Sequence, residues 1–266
     1  LLGQPAKAAW GVMIGETIIA NKTAIGAAAF LILFALERVF AADAARGGFK
    51  RLRRNGVLWL SLMILSPLIV LPLANVAAAH PLWTRPAALP PAAMLAADIL
   101  LLDFWAYWVH RAYHEIPLMR RFHRVHHLDQ HLDTTSAVRF HPGEVAISAC
   151  LRVPPIIILA IPFEHVVIFE TALLICSLFH HSNLRLPRGF EAALARVIVT
   201  PSIHWIHHHA VRADTNANYS AIFSLWDRIF GTRSGAQRRP GMRIGLEGVA
   251  DKSAVELMLL PFRKNP

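Results

Sequence analysis

The chain has 266 residues, 55% of them hydrophobic, and its 27 Lys+Arg against 17 Asp+Glu give a net charge of +10. The apolar surplus lies in long uninterrupted runs, which argues against an ordinary soluble domain, and the basic residues sit beside those runs, which argues for a membrane surface and against a nucleic acid as partner. The two cysteines, Cys150 and Cys176, both fall inside apolar runs, so neither a disulfide framework nor a CxxC zinc site is available.

A membrane-crossing helix needs ~20 mostly apolar residues. The start, Leu1 to Trp10, lacks the basic stretch and small-residue cleavage site of a signal peptide. Ala9 to Ala20 reads as a short interfacial segment. Ala24 to Ala42 is the first predicted span, interrupted only by Glu37 and Arg38 near its end. Val57 to Ala79 is the second and cleanest. Ala92 to Val109 is the third and contains Asp103. Val145 to Phe179 is too long for one crossing. Pro154, Pro155 and Pro162, with Glu164 and His165, are expected to break it into two segments of a re-entrant hairpin, which Arg152 and Glu170 also interrupt. The predicted fold is all-α: an integral membrane protein with about four transmembrane helices, or two plus a hairpin, capped by a helical histidine-rich domain.

Basic residues set the orientation. Arg46, Lys50, Arg51, Arg53 and Arg54 follow the first span, whereas His80 to Pro91 carries only Arg85. Arg111, Arg120, Arg121 and Arg124 follow the third span, and Arg185, Arg188 and Arg196 follow the hairpin. All the basic segments fall on one side, predicted to be cytoplasmic. The tail from Ser234 to Pro266 is polar and basic and ends in an amphipathic stretch, Ala254 to Phe262. No internal repeat or domain linker is evident.

Most of the fifteen histidines fall in four groups just beyond the ends of the apolar spans. They are His110-Arg-Ala-Tyr-His114, His123-Arg-Val-His126-His127, the pair His180-His181, and His204-Trp-Ile-His207-His208 with His209 following. On a helix, residues i, i+3 and i+4 share a face. HxxxH therefore offers two imidazoles to one ion, and HxxHH offers two on one face with a third beside it. Imidazole suits Zn, Cu, Fe and Ni and serves Ca or Mg poorly. Eight or more clustered imidazoles are too many for one tetrahedral ion, so two metals are expected. A merely basic, histidine-rich surface would not require HxxHH twice. His110 and His114 enclose no glutamate, so the general base of a zinc protease is absent. Glu115 is placed to hydrogen-bond a ligand, although a solvated helix-end carboxylate is the plainer reading. His80, His131 and His165 match no ligand spacing and read as structural or interfacial.

The ordered series of histidine motifs resembles the fatty acid hydroxylase/sterol desaturase superfamily of membrane di-iron enzymes. The resemblance runs from Asp103 to Arg233, about half the chain. It is carried by Asp103-Phe-Trp-Ala-Tyr-Trp-Val-His110-Arg, Phe122-His123-Arg-Val-His126-His127 and Arg139-Phe-His141-Pro-Gly-Glu144. It continues through Phe179-His180-His181-Ser-Asn183 and Pro201-Ser-Ile-His204-Trp-Ile-His207-His208, then Asn218-Tyr219 and Trp226-Asp227-Arg-Ile-Phe-Gly231-Thr232.

The resemblance implies transmembrane helices capped by a cytosolic helical domain that holds two irons. It divides the chain into an N-terminal membrane region (1–102), a catalytic domain (103–233) that includes the hairpin at 145–179, and the basic tail (234–266). It implies O₂-dependent hydroxylation or desaturation of a lipid: a sterol, a fatty acyl chain, or a related isoprenoid or ether lipid. The ligand roles fall on His110, His114, His123, His126, His127, His204, His207 and His208, with the middle ligand in the 180/181 pair and His181 favoured. Relatives often carry Gln where His180 stands, which leaves His180 as a ligand or a supporting group. Some hydroxylases of the family have a further His four residues before the middle ligand; Cys176 or Ser177 occupies that region here. Asp103, His141, Asn183 and Asp227 are expected to support the ligands without binding metal.

The resemblance also implies a bacterial inner membrane as location, with the metals on the cytoplasmic side. Zn can replace Fe in overexpressed protein, since it binds such ligands more tightly. No GxGxxG fingerprint or preceding haem domain is present, so electrons are expected from a separate ferredoxin, cytochrome or reductase. The competing class is a non-catalytic metal-binding or metal-transporting membrane protein. A transporter would place ionisable ligands near mid-membrane, whereas these histidines lie at span ends. Asp103, two helical turns before His110, is ~10 Å from it along the axis and is expected to reach a ligand histidine on another helix.

Overall fold

Each long apolar run becomes a helix, because within a bilayer only intrahelical bonds can satisfy the backbone. The computed structural model describes residues 5–44, 47–86 and 89–263, with side chains from residue 16 onward. Helix α1 covers Pro5–Val39, and its membrane-length apolar part is Glu16–Val39. It runs unbroken through the segment expected to be interfacial, since no proline follows Pro5 until Pro67. Arg46, one of the residues used for orientation, lies outside the described residues.

Helix α2 (Phe49–Leu65) passes through one π-turn (Ser66–Val70) into α3 (Leu71–Ala79), so Phe49–Ala79 is one 31-residue rod. Pro67 has no N–H for the usual i−4 bond, and the helix widens there and continues. Helix α4 (Pro91–Glu115) runs past the predicted end at Val109 and carries His110 and His114 out of the span on a continuous axis. Helix α6 (Pro142–Leu159) and helix α7 (Phe163–His181) form the hairpin. The break falls only at 160–162, where Ala160 adopts a left-handed conformation (φ 49°) before Pro162. Pro154 and Pro155, expected to interrupt the chain, stay inside α6. In apolar surroundings a local loss of bonds costs less than exposing a whole turn of backbone. The limbs, 18 and 19 residues long, are each long enough to cross, so among the described residues five helices meet that criterion. The protein is an integral membrane protein.

The connectivity puts the ends of α1, α4 and α7 and the starts of α2 and α6 at one end of the bundle. At the opposite end, Arg85 and His165 both bond the buried carboxylate of Asp98, the latter at 2.7 Å. His165 thus has a structural partner at the end of the bundle remote from the four histidine groups.

The histidine end is capped by short elements: α5 (Pro117–His127), a 3₁₀ turn (Thr134–Val138), α8 (Arg188–Leu194), α9 (Pro201–His207), α10 (Arg212–Thr215), α11 (Leu225–Ile229) and α12 (Ala254–Leu259). A buried polar network joins this cap to the membrane helices. Arg51 of α2 bonds Asp129 (2.6 and 2.8 Å) and Asp133 (2.8 Å), just beyond α5. Arg139, fully buried, bonds the Val125 carbonyl, Asn55 and Asp251. Removing one member of such a buried pair costs about 3–5 kcal/mol, because its partner's charge is stranded. The segment after residue 234 packs into the same cap. Its Leu257 and Leu260 share an apolar cluster with Leu58, Val125 and Leu128, and the Gly245 amide donates to the His208 carbonyl. Gly245 has φ +113°, a backbone conformation that L side chains rarely adopt, which is why glycine stands here.

Candidate metal centre

Helical spacing sorts the histidines into two sets. His110, His114, His123, His127 and His207 form one set and His126, His181, His204 and His208 the other, with the ligand atoms of each within 4.8 Å of one another. Adjacent residues on a helix diverge by ~100°, so the neighbours His126 and His127 belong to different sets. Each HxxHH gives its i and i+4 imidazoles to one set and its i+3 imidazole to the other. His123 and His127 are answered by His207, and His204 and His208 by His126. The two motifs interlock, with the His127 and His208 rings stacked at 4.4 Å between the sets.

The outer ring nitrogens show what the inner ones must do. Nδ1–H of His110 donates to the Tyr219 carbonyl (2.8 Å), that of His207 to Ala217 (2.7 Å), that of His181 to Ser177 (2.7 Å) and that of His126 to Arg139 (3.2 Å). Nδ1–H of His123 donates to the Glu144 carboxylate at 2.6 Å. A carbonyl or carboxylate can only accept, so each of these imidazoles directs a bare Nε2 lone pair inward. His126 and His181 Nε2 lie 3.0 Å apart, His181 and His204 Nε2 2.9 Å, and His204 and His208 Nε2 3.2 Å. Two ligands at right angles on an ion ~2.1 Å from each nitrogen would stand ~3.0 Å apart. The buried Nε2 atoms of His114 and His207 have no partner. Converging, desolvated lone pairs repel unless a cation lies between them, so the residues fit a metal ion in each set.

Burial pushes the pKa of His126, His127, His204, His207 and His208 well below the ordinary imidazole value, and neighbouring imidazoles push it further. These rings are neutral at pH 7, the form that binds metal.

His180 belongs to neither set. It is buried, its ring centroid is 4.0 Å from that of His204, and its Nδ1 is unpartnered. Of the 180/181 pair, His181 is the one aimed at the other imidazoles. His141 caps α6, accepting from the Gly143 amide and donating to the Met258 carbonyl. Asn183 ties the end of α7 to Asp43 and Glu37. Asp227 accepts from the Tyr219 and Ser220 amides and the Thr232 hydroxyl, shaping the loop whose carbonyls hold His110 and His207. Asp103 reaches no histidine. Its carboxylate accepts from the Ile222 and Phe223 amides and the Trp226 indole, in the loop that follows Tyr219. Glu115 pairs with Arg111 at the surface.

Glu144 is not among the supporting residues expected from the sequence, although it closes the motif Arg139-Phe-His141-Pro-Gly-Glu144 and is a carboxylate at the head of an apolar run, which is a signal. A carboxylate on the far nitrogen fixes a ligand's tautomer and raises its basicity, typically worth 10–100-fold in metal affinity. Glu144→Ala is therefore expected to weaken metal binding by about 100-fold and Glu144→Gln, which keeps an acceptor, by about 10-fold. Competition against a chelator measures both, and unchanged affinity in Glu144→Ala would remove Glu144 from the site.

The sequence profile of the fatty acid hydroxylase family matches residues 95–232. Among characterised proteins, the chain is 27% identical to the ornithine lipid hydroxylase OlsE of Rhizobium tropici over 166 residues, 62% of this chain and 49% of that protein. It is 29% identical to the alkylglycerol monooxygenase of Homo sapiens over 131 residues, 49% of this chain and 28% of that protein. It is 26% identical to the lathosterol oxidase of Homo sapiens over 139 residues, 50% of this chain and 42% of that protein. The matches thus span half or less of these relatives' lengths. No solved structure matches the chain.

Proposed function

The chain belongs to the fatty acid hydroxylase family, and from that premise we propose that it is a membrane oxidoreductase that uses two iron ions and O₂ to hydroxylate or desaturate a lipid. The observation that carries this reading is the pair of imidazole sets at one end of the membrane helices. In it, the first set and the second set each bind one iron, and His180 supports the second without binding. Zinc is expected to occupy the same nitrogens after overexpression. The three relatives act, by their names, on an ornithine lipid, an alkylglycerol and lathosterol, so a lipid substrate is the shared inference.

When bound, the metal pair supplies the redox chemistry with O₂ that an unactivated C–H bond requires. The chain's own residues hold and insulate it. Backbone carbonyls of Tyr219, Ala217, Ser177 and Arg139 and the carboxylate of Glu144 fix the ring planes before any ion arrives, so little reorganisation accompanies loading. His207 and His208 are fully buried, which keeps bulk water from the space between the sets. The ligands stand at the membrane end of α4 and α7, where a lipid can approach from the bilayer and a soluble ferredoxin, cytochrome or reductase from the water. The excess of basic residues on that face supports a cytoplasmic orientation, and the reading places the chain in a bacterial inner membrane.

The test is anaerobic loading with iron, addition of a reductant and heavy-isotope dioxygen, and mass spectrometry of membrane lipids. One lipid class is expected to gain the heavy oxygen if hydroxylated, or to lose two hydrogens, with the label passing to water, if desaturated. Unchanged lipids from iron-replete, reduced protein in the membranes of its own host would sink the reading.

A further inference from the structure

Beside the first imidazole set lies a cavity of about 450 Å³ that opens to the surface. His114, His123 and His127 form part of its lining, and Arg120, Arg124 and Arg212 contribute three guanidinium groups against a single carboxylate, Glu247. Arg120, Arg212 and Glu247 are exposed and mark the mouth, whereas the histidines are buried and mark the floor. Arg120 and Arg124 stand four residues apart on α5, so their like charges are neighbours on one helix face. The volume lies within the ~300–1,000 Å³ typical of small-molecule sites. It is too small for a folded partner to enter and large enough for a lipid head group. Leu246 and Val249, from the segment after residue 234, give one wall an apolar surface.

We propose that this cavity is a head-group subsite: Arg120, Arg124 and Arg212 hold a phosphate or carboxylate of the lipid substrate at the mouth, and the atoms a few bonds from that head reach the first imidazole set. Arginine suits the task because its planar fork pairs with both oxygens of a phosphate or carboxylate at once. The proposal rests on the lipid-oxygenase reading and narrows it. The substrate carries an anionic head, and the position oxidised lies close to that head, not deep in an acyl chain.

The experiment measures binding, which needs no turnover, so its failure is distinct from failure of the oxygenase reading. Full-length, metal-loaded protein in neutral detergent is titrated with a short-chain phosphatidic acid, with the matching neutral diacylglycerol and with inorganic phosphate. The phosphatidic acid is expected to bind at least tenfold more tightly than the diacylglycerol, and more tightly than free phosphate. Arg212→Gln and Arg120→Gln, both surface changes, are each expected to weaken it by about tenfold while metal content stays at the wild-type level. Glu247→Gln is expected to strengthen it, which a general loss of structure could not do. Equal affinity for the anionic and neutral lipids, or wild-type affinity in both arginine variants, would overturn the subsite. Free phosphate binding as tightly as the lipid would also overturn it, by showing an anion site with no lipid selectivity.

Discussion

His126→Ala is expected to abolish turnover and to lower bound iron from about two ions per chain to about one. The second imidazole set has four members, and His126 is the only one contributed by α5. Its removal leaves three nitrogens and opens one side of the site to water and misplaced ligands. The loss is larger than one bond would suggest, because His181 Nε2, 3.0 Å away, loses the cation that its lone pair is aimed at. The first set keeps all five of its imidazoles, so the expected result is a half-loaded protein, not an apo one. His165→Ala is the contrasting variant: it removes a partner from the buried Asp98 at the other end of the bundle and is expected to cost stability while leaving iron content and specific activity near wild type. Elemental analysis after gentle anaerobic purification, alongside the lipid assay, reads both quantities. Near-normal activity in His126→Ala would show that the second set does not hold a catalytic metal.

The helical spans and the four histidine groups were legible because each is a local pattern: a run of apolar side chains or a repeat at i, i+3 and i+4. What was not legible was how each HxxHH divides. The sequence shows His126 and His127 as neighbours, and only the docking of α9 against α5 decides that they serve different sets. Long-range polar pairs were equally hidden. Arg139 and Asp251 are 112 residues apart, and Arg51 and Asp129 are 78 apart. Each residue alone looks like an ordinary surface charge of a basic protein. The carbonyls of Tyr219 and Ala217 that orient His110 and His207 carry no side-chain signature at all. Pro154 and Pro155 misled for a different reason. Proline breaks helices in water, where a freed carbonyl can be solvated, but an apolar environment keeps the rest of the helix intact.

Asp103 shows how a residue can matter to a metal site that it does not touch. It is fully buried, and its carboxylate accepts three hydrogen bonds, from the Ile222 and Phe223 amides and the Trp226 indole. Asp103→Leu would strand all three donors at about 1–3 kcal/mol each, so a destabilisation of about 3 kcal/mol or more is expected. The damage should be directional. The freed loop begins at Tyr219, whose carbonyl holds His110, so affinity at the first set is expected to fall more than at the second. Asp103→Asn keeps one acceptor but turns an amide N–H toward N–H donors, and should fall between Leu and wild type. Asp227→Asn provides an independent check, because Asp227 shapes the same loop through the Tyr219 and Ser220 amides and lies on a different helix. If the loop carries the effect, Asp227→Asn and Asp103→Asn should lower metal affinity at the same set, and the double variant should lose less than the sum of the two. Chelator competition and thermal unfolding in detergent would report the two consequences separately. Wild-type stability and iron retention in Asp103→Leu would show that the loop is held in place by other contacts.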